Sequence, residues 1–163
     1  MHMALDLKIM ILLHYGGKFE ESDNKIYYIR EIGCTSVECE YVEFDGKYKL
    51  ASHSFLEQRE LDGTTHTRFE GKIDVCGDMK EVAGVGNGPI DSFFQALAGI
   101  GVEGYEFVNY HEHAISRGSD AKGICYIELK IPGNGHIFGV GIDSNINVAA
   151  LLGILCAINR AEK

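Results

Sequence analysis

The sequence predicts an α+β fold built from two consecutive β-β-β-α units with antiparallel sheets. Two stretches of alternating apolar and polar residues are each divided into three by turn signals, which is the pattern of half-buried strands. Each stretch runs into a segment with helical spacing. In addition, Gly84-Val85-Gly86 recurs 55 positions later as Gly139-Val140-Gly141, each time near the end of a third strand. These observations indicate an internal repeat.

The first predicted unit covers residues 47–103. Its strands are Tyr48–Leu56, Thr65–Val75 and Met79–Val85. Pro89 then stands where a first helical residue is expected. Apolar side chains follow at one-face helical spacing, namely Ile90, Phe93, Phe94 and Leu97. Gly99 and Gly101 are expected to end this helix.

The second predicted unit covers residues 104–163. Its strands are Glu106–Ile115, Ala121–Ile131 and His136–Ile142. Asp143, Ser144 and Asn145 offer helix-capping side chains before a helix over Ile146–Arg160. That helix is apolar nearly all round, so it needs cover on both sides. Cover by the sister unit and by a second chain predicts a homodimer.

Residues 1–46 are interpreted as a leader or linker segment of uncertain structure. Three pieces have strand-like composition, and the last alternates as a half-buried strand does. They are Lys8–Leu13, Lys25–Arg30 and Glu38–Phe44.

Length and charge exclude several classes of function. At 163 residues the chain suits one domain and is too short for a (β/α)8 barrel, which needs about 250. With 24 acidic and 15 basic side chains its net charge is −9, which argues against nucleic acid and anionic membrane as partners. The longest apolar stretch falls well below the roughly 20 residues that span a bilayer. Five cysteines without a C-x-x-C pair indicate reduced thiols and a cytoplasmic protein.

Two motifs invite a ligand interpretation. The glycines of Gly84–Gly88 precede a helix, but Pro89 removes an amide and no G-x-G-x-x-G fingerprint is present, so a small carboxylate or an empty turn is favoured over a nucleotide. His111 and His113 share one face of a strand and resemble a metal pair. Without a third ligand in sequence reach, histidines within a strand interface are the favoured interpretation. The sequence shows no nucleophile motif.

Three ordered motifs carry a family resemblance over residues 48–160. Gly-Asn-Gly-Pro before a helix lies within Glu81–Leu97, Tyr-His-Glu-His-Ala opens Tyr110–Asp120, and Gly-Val-Gly-Ile-Asp leads into a helix ending in Asn-Arg within Phe138–Arg160. Together they resemble the C-terminal regulatory domain of 2-isopropylmalate synthase, a leucine-sensing dimerisation module. The resemblance implies two β-β-β-α units around a pseudo-twofold axis. It assigns the condensation of acetyl-CoA with 2-oxoisovalerate, and its divalent metal, to a catalytic barrel of the same polypeptide.

The resemblance implies that L-leucine binds between the two units as a feedback inhibitor, and that this chain alone has no catalytic residues and no cofactor. The contacts carried over by motif are Asn87, Gly88, Pro89, Ile90, Asp91, Tyr110, Ala114, Ala121, Gly123 and Ile142. Amides exposed at the Asn87–Ile90 bend would hold the carboxylate. Loop carbonyls, or Asp91 and Asp143, would accept from the ammonium, and small residues at 114, 121 and 123 would leave room for the isobutyl group.

Alternatives remain open at this level. Citramalate synthases use a similar module to sense isoleucine, and one methylene is worth only about 0.8 kcal/mol. A dimerisation module without ligand is a second alternative. An independent metal enzyme using His111 and His113 is a third.

Overall fold

The computed structural model describes residues 18–22, 25–29, 37–40, 46–114, 118–119, 121–133 and 135–162. Within these ranges the elements are β1 Lys18–Ser22, β2 Lys25–Ile29, β3 Val37–Glu40, β4 Tyr48–Arg59, β5 Thr65–Val75, β6 Asp78–Gly86, α1 Pro89–Ala98, β7 Glu106–Ala114, β8 Gly123–Lys130, β9 His136–Asp143 and α2 Ile146–Ala161. The strands form three antiparallel sheets in the orders β1-β2-β3, β4-β5-β6 and β7-β8-β9.

The predicted α+β class is confirmed, because two antiparallel three-stranded sheets are each followed by a helix. The predicted bounds of the six strands and two helices after residue 46 differ from the observed ones by at most three residues. Among the earlier segments, Lys25–Arg30 and Glu38–Phe44 overlap β2 and β3, whereas β1 was not predicted. The predicted strand Lys8–Leu13 lies outside the described residues.

The internal repeat has a spacing of 57 residues rather than the 55 that the glycine motif suggests. Strand β4 begins at Tyr48 and Tyr105 directly precedes β7, while the N-caps of the two helices are Gly88 and Asn145. The bulges in β4 and β7 also correspond, since each interrupts pairing after the third residue from those tyrosines. The second Gly-Val-Gly therefore lies two residues deeper in its strand than the first.

Glycines on the third strand of each unit let the following helix approach the sheet closely. A Cβ at Gly84 would overlap the Ser92 carbonyl oxygen, and a Cβ at Gly141 would overlap that of Ala149. Gly139 adds a second such contact, against the Gly153 carbonyl of the longer helix α2. The repeated glycines are thus explained by backbone-to-backbone packing.

Helix α1 packs through an aromatic row that crosses the sheet. Phe93 meets Phe69 of β5 edge-to-face at 5.1 Å between ring centroids, and Phe69 meets Phe55 of β4 at 5.3 Å. Phe69 and Phe93 are fully buried. The predicted apolar stripe of α1 therefore faces the core, which also includes Leu97 and the inner side chains of α2.

Most of helix α2 is buried within this one chain. Its buried residues run from Val148 to Arg160, and it packs on β8, β9, α1 and β4. The sequence predicts a homodimer because α2 is apolar nearly all round. That reason does not hold, because the same chain supplies the cover that the prediction assigned to a second one.

The hairpin between β5 and β6 carries a strained residue. Val75 pairs with Asp78, so Cys76 and Gly77 form a two-residue turn, and both have positive φ, 53° and 89°. Such type I′ turns favour Asn-Gly, because positive φ costs less conformational energy in glycine, asparagine and aspartate than in other residues. We expect Cys76→Asn to raise the free energy of unfolding by about 0.5–1 kcal/mol, measured by urea denaturation. A destabilised variant would contradict this assignment of strain.

Candidate functional site

The loop that opens helix α1 is held by its own aspartate. The Asn87 amide donates to Asp91 Oδ2 at 2.9 Å, and the Ser92 amide donates to the Gly88 carbonyl oxygen at 3.0 Å. A Cβ at Gly86 would meet the Asp91 carboxylate, so that glycine leaves room for it. The expectation that the whole Asn87–Ile90 bend exposes its amides is therefore corrected: the Asn87 amide is bonded within the loop.

The amides of Ile90 and Asp91 lie in the first turn of α1 and have no intrahelical carbonyl to bond. Gly88 is the N-cap and provides no side-chain hydrogen bond to them. A Cβ placed on Gly88 would have no heavy atom within 4 Å, so the space beyond this helix end is open. The positive end of the α1 dipole thus faces an open space beside half-buried Ile90.

The equivalent end of α2 is closed. The Asn145 side chain accepts from the amides of Asn147 at 2.9 Å and Val148 at 3.4 Å. Asp143 in turn accepts from the Asn145 amide at 2.8 Å. The two units therefore differ at the starts of their helices. The Asn145 side chain caps α2, whereas the described residues include no capping side chain at the start of α1.

The predicted contacts on the second sheet divide between its two faces. Tyr110 pairs with Ile127 and Ala114 pairs with Gly123, and Ile127 is a core residue beneath α2. Since paired residues share a face, Tyr110, Ala114 and Gly123 lie on the helix side of the sheet. Tyr110 is 46% exposed there, because α2 covers β8 and β9.

Ile142 lies on the other face of that sheet. It pairs with Ile124, whose chain neighbour Cys125 belongs to the core beneath α2. Successive residues of a strand point to opposite faces. Ala121 precedes β8 and is half-buried. Tyr110, Ala114 and Gly123 thus share one face of the second sheet and Ile142 lies on the other, while Asn87–Asp91 form a separate group at the start of α1.

The described surface has a cavity and two histidine contacts that lie apart from the predicted leucine contacts. A cavity of about 510 Å³ on the first sheet is lined by residues between Ser52 and Ala83, including Glu70, Lys72 and Glu81, and by none of the predicted contacts. His111 packs near Tyr126, with 6.4 Å between ring centroids. His136 Nδ1 lies 2.9 Å from the buried carboxylate of Glu128. In the described part of the chain, no three His, Cys, Asp or Glu side chains are grouped to hold a metal ion.

The last turn of α2 makes a contact that no sequence pattern predicts. Asn159 Oδ1 accepts from the Tyr48 amide and Asn159 Nδ2 donates to the Tyr48 carbonyl oxygen, both at 2.9 Å. A Cβ at Gly46 would overlap the Asn159 side chain. We call Gly46, Tyr48 and Asn159 the Asn159 latch. It joins residues 111 positions apart, and no local pattern signals such a pairing.

The comparisons with known proteins decide the family. A family profile described as the LeuA allosteric (dimerisation) domain matches residues 35–162. The chain belongs to this family.

Relatives of this LeuA domain are named 2-isopropylmalate synthase. One from Thermobifida fusca is 45% identical over 91 residues, covering 56% of this chain, and one from Rhizobium meliloti is 44% identical over 122 residues, covering 74%. One from Clostridium acetobutylicum is 34% identical over 124 residues, covering 76%. The aligned parts amount to 16%, 21% and 22% of those relatives, so the chain spans about a fifth of their length.

The described helices of the LeuA domain give no sign of a membrane span: none combines the length and the apolar composition that crossing a bilayer requires.

Alkaline pH is expected to destabilise the LeuA domain, because a buried thiol and a half-buried phenol resist ionisation in the folded state. Burial, and then the charge of Glu112, raises the pKa of Cys125 to about 12 from 9.0. Burial, and then the charge of Glu162, raises the pKa of Tyr105 to about 12 from 10.0. Since the unfolded chain loses these protons first, stability is fully present below pH 9 and falls progressively toward pH 12.

The measurement is urea denaturation at pH 8, 10 and 11. In Cys125→Ala the free energy of unfolding should fall less steeply between pH 9 and pH 10, because in this range the thiol of the unfolded chain ionises before the tyrosine does. Equal stabilities at pH 8 and pH 11 would show that neither group remains protonated in the folded state.

Proposed function

We propose that this chain is the regulatory domain of a 2-isopropylmalate synthase, that it binds L-leucine as feedback inhibitor, and that it dimerises. Membership of the LeuA allosteric (dimerisation) family supports the class of function. The observation that carries the ligand proposal is the open end of α1, where the N-cap residue Gly88 provides no side chain to cap the first-turn amides.

A zwitterionic amino acid suits this end of the helix. Its carboxylate would accept from the amides of Ile90 and Asp91, with the helix dipole adding about 0.3–1 kcal/mol. Its ammonium group would pair with the Asp91 carboxylate, whose Oδ2 already fixes the loop through Asn87. Burial of the isobutyl group would contribute about 1.5–3 kcal/mol.

The branched side chain is proposed to reach the exposed helix-side surface of the second unit. Tyr110 and Ala114 lie there on β7, and Gly123 adjoins them on β8. Tyr110 presents a large apolar ring on the same face as exposed Ala114, whereas the Ile146 side chain of α2 fills the space over Gly123. We retain Ala121 and Ile142 as proposed contacts through their backbone, because Ile142 directs its side chain to the opposite face.

Catalysis is assigned to another part of the polypeptide. The relatives named 2-isopropylmalate synthase are about five times as long as the matched region. We propose that a catalytic barrel of the same polypeptide condenses acetyl-CoA with 2-oxoisovalerate using a divalent metal, and that this domain regulates it. Inhibition requires that leucine bind one state of the whole enzyme more tightly than the other.

Isothermal titration with leucine, isoleucine and valine tests the ligand, and light scattering at micromolar concentration tests the dimer. Leucine is expected to bind most tightly, as the names of the relatives favour. Preference for isoleucine would instead indicate the module of a citramalate synthase. Folded, dimeric protein that binds none of the three would be a ligand-free dimerisation module and would overturn the leucine proposal.

A further inference from the structure

The last turn of α2 holds both sheets of the domain at once. Arg160 Nη1 donates to the Phe138 carbonyl oxygen of β9, in the sheet on which α2 packs. The neighbouring Asn159 makes two hydrogen bonds to the Tyr48 backbone at the start of β4, in the other sheet. A shift of this turn relative to β4 therefore requires that the Asn159 latch break or that residues 46–48 move with it.

The Asn159 latch has the geometry of a rigid connection. One amide side chain pairs with both the N–H and the C=O of a single residue, as a neighbouring strand would. Asn159 and Tyr48 are 5% and 6% exposed, so water does not readily replace the two hydrogen bonds. The Gly46 backbone packs closely against the other side of Asn159, because any side chain at position 46 would overlap the Asn159 side chain.

A continuous core leads from the open end of α1 to the latch. Helix α1 packs against α2, and Phe93, Leu97, Ile154 and Ile158 belong to one buried cluster. Residues 46–48 are where the chain enters the two-unit fold from the preceding segment. A ligand that displaces α1 would therefore displace the core side chains of α2. The last turn of α2 is bonded through Asn159 to Tyr48, close to the point where the chain enters the two-unit fold.

We propose that the Asn159 latch transmits ligand-dependent movement of α2 to the chain entering at Gly46–Tyr48, with Asn159 as a positioning residue. This inference rests on the proposed leucine site. The latch contains no charged group, so the transmission is independent of salt. The ion pair beside it differs in this respect: Lys47 Nζ and Glu162 Oε2 are 3.7 Å apart, and their side chains are 49% and 30% exposed.

The test is hydrogen exchange of the 163-residue protein with and without saturating leucine, read by mass spectrometry on peptides covering residues 46–50 and helix α2. In the parent protein we expect leucine to slow exchange about tenfold in both regions, within the usual range of coupling. In Asn159→Ala, leucine should still slow exchange in α2 and should no longer affect residues 46–50. Lys47→Ala is the matched control and should behave as the parent protein does, at low and at high salt.

Gly46→Ala is a second variant, which forces the latch apart while Asn159 and the Tyr48 backbone groups are retained. It should uncouple residues 46–50 as Asn159→Ala does, and it keeps the test decisive if Asn159→Ala does not fold. Leucine binding without any change at residues 46–50 of the parent protein would overturn the latch proposal alone. Leucine-dependent slowing that persists there in both variants would also overturn it. Failure of the parent protein to bind leucine would overturn the proposed function, and the latch proposal with it.

Discussion

Replacement of Gly88 by aspartate is expected to reduce leucine affinity by about 100-fold or more and to leave the domain folded. An N-cap aspartate accepts from the first-turn amides of its helix, as Asn145 does in α2. In α1 that would occupy the amides of Ile90 and Asp91, which the ligand carboxylate is proposed to use. The added negative charge would also repel that carboxylate.

Two further variants at Gly88 separate occupation from charge and bulk. Gly88→Asn would cap the helix without adding charge, so we expect a large loss of leucine affinity here also. Gly88→Ala adds a Cβ into open space and provides no capping group, so affinity should change by less than about fivefold. Titration calorimetry measures all three. Parent-like affinity in Gly88→Asp would show that the open end of α1 is not the site.

Replacement of Gly141 by alanine is expected to lower the free energy of unfolding by about 3 kcal/mol or more. The new Cβ would overlap the Ala149 carbonyl oxygen and crowd the Gly153 amide, both of them backbone atoms of α2. No side-chain rotation relieves such an overlap. The helix would have to lift from its sheet and loosen contacts along the core.

Urea denaturation provides the comparison. Gly84→Ala meets the equivalent atoms in the first unit, the Ser92 carbonyl and the Ala96 amide, and should be similarly destabilised. Gly88→Ala is the matched control for the loss of a glycine and should cost less than about 1 kcal/mol. A Gly141→Ala protein within 1 kcal/mol of the parent would mean that α2 packs less closely than described.

Most of the two-unit fold could be predicted because its elements have strong local signals. Alternation over β5 and the apolar stripe of α1 specified a strand and a helix that the structure confirms. The open end of α1 and the capped end of α2 are also visible in the sequence, as Gly88 against Asn145. The repeat length that the Gly-Val-Gly tripeptides indicate is wrong by two residues, because identical tripeptides need not be equivalent: the longer helix α2 crosses its strand over two glycines, at 139 and 141.

Features that depend on distant parts of the chain could not be predicted in this way. Nothing near Asn159 indicates that its side chain binds Tyr48, which is far away in the sequence. The side of the sheet on which Ile142 lies depends on the register of β9 against β8, which the resemblance did not specify. Nor does the apolar composition of α2 show which element covers it, because composition indicates burial and not its source.

The matching bulges in β4 and β7 bear on the origin of the domain. Ala51 and Val108 interrupt their edge strands at matching places, although an irregularity of this kind is not required for a three-stranded sheet to form. Shared imperfections are better evidence of common ancestry than shared regularities, which physics alone can produce twice. We infer that the two halves arose from duplication of one ancestral half, because each carries its bulge at the equivalent place.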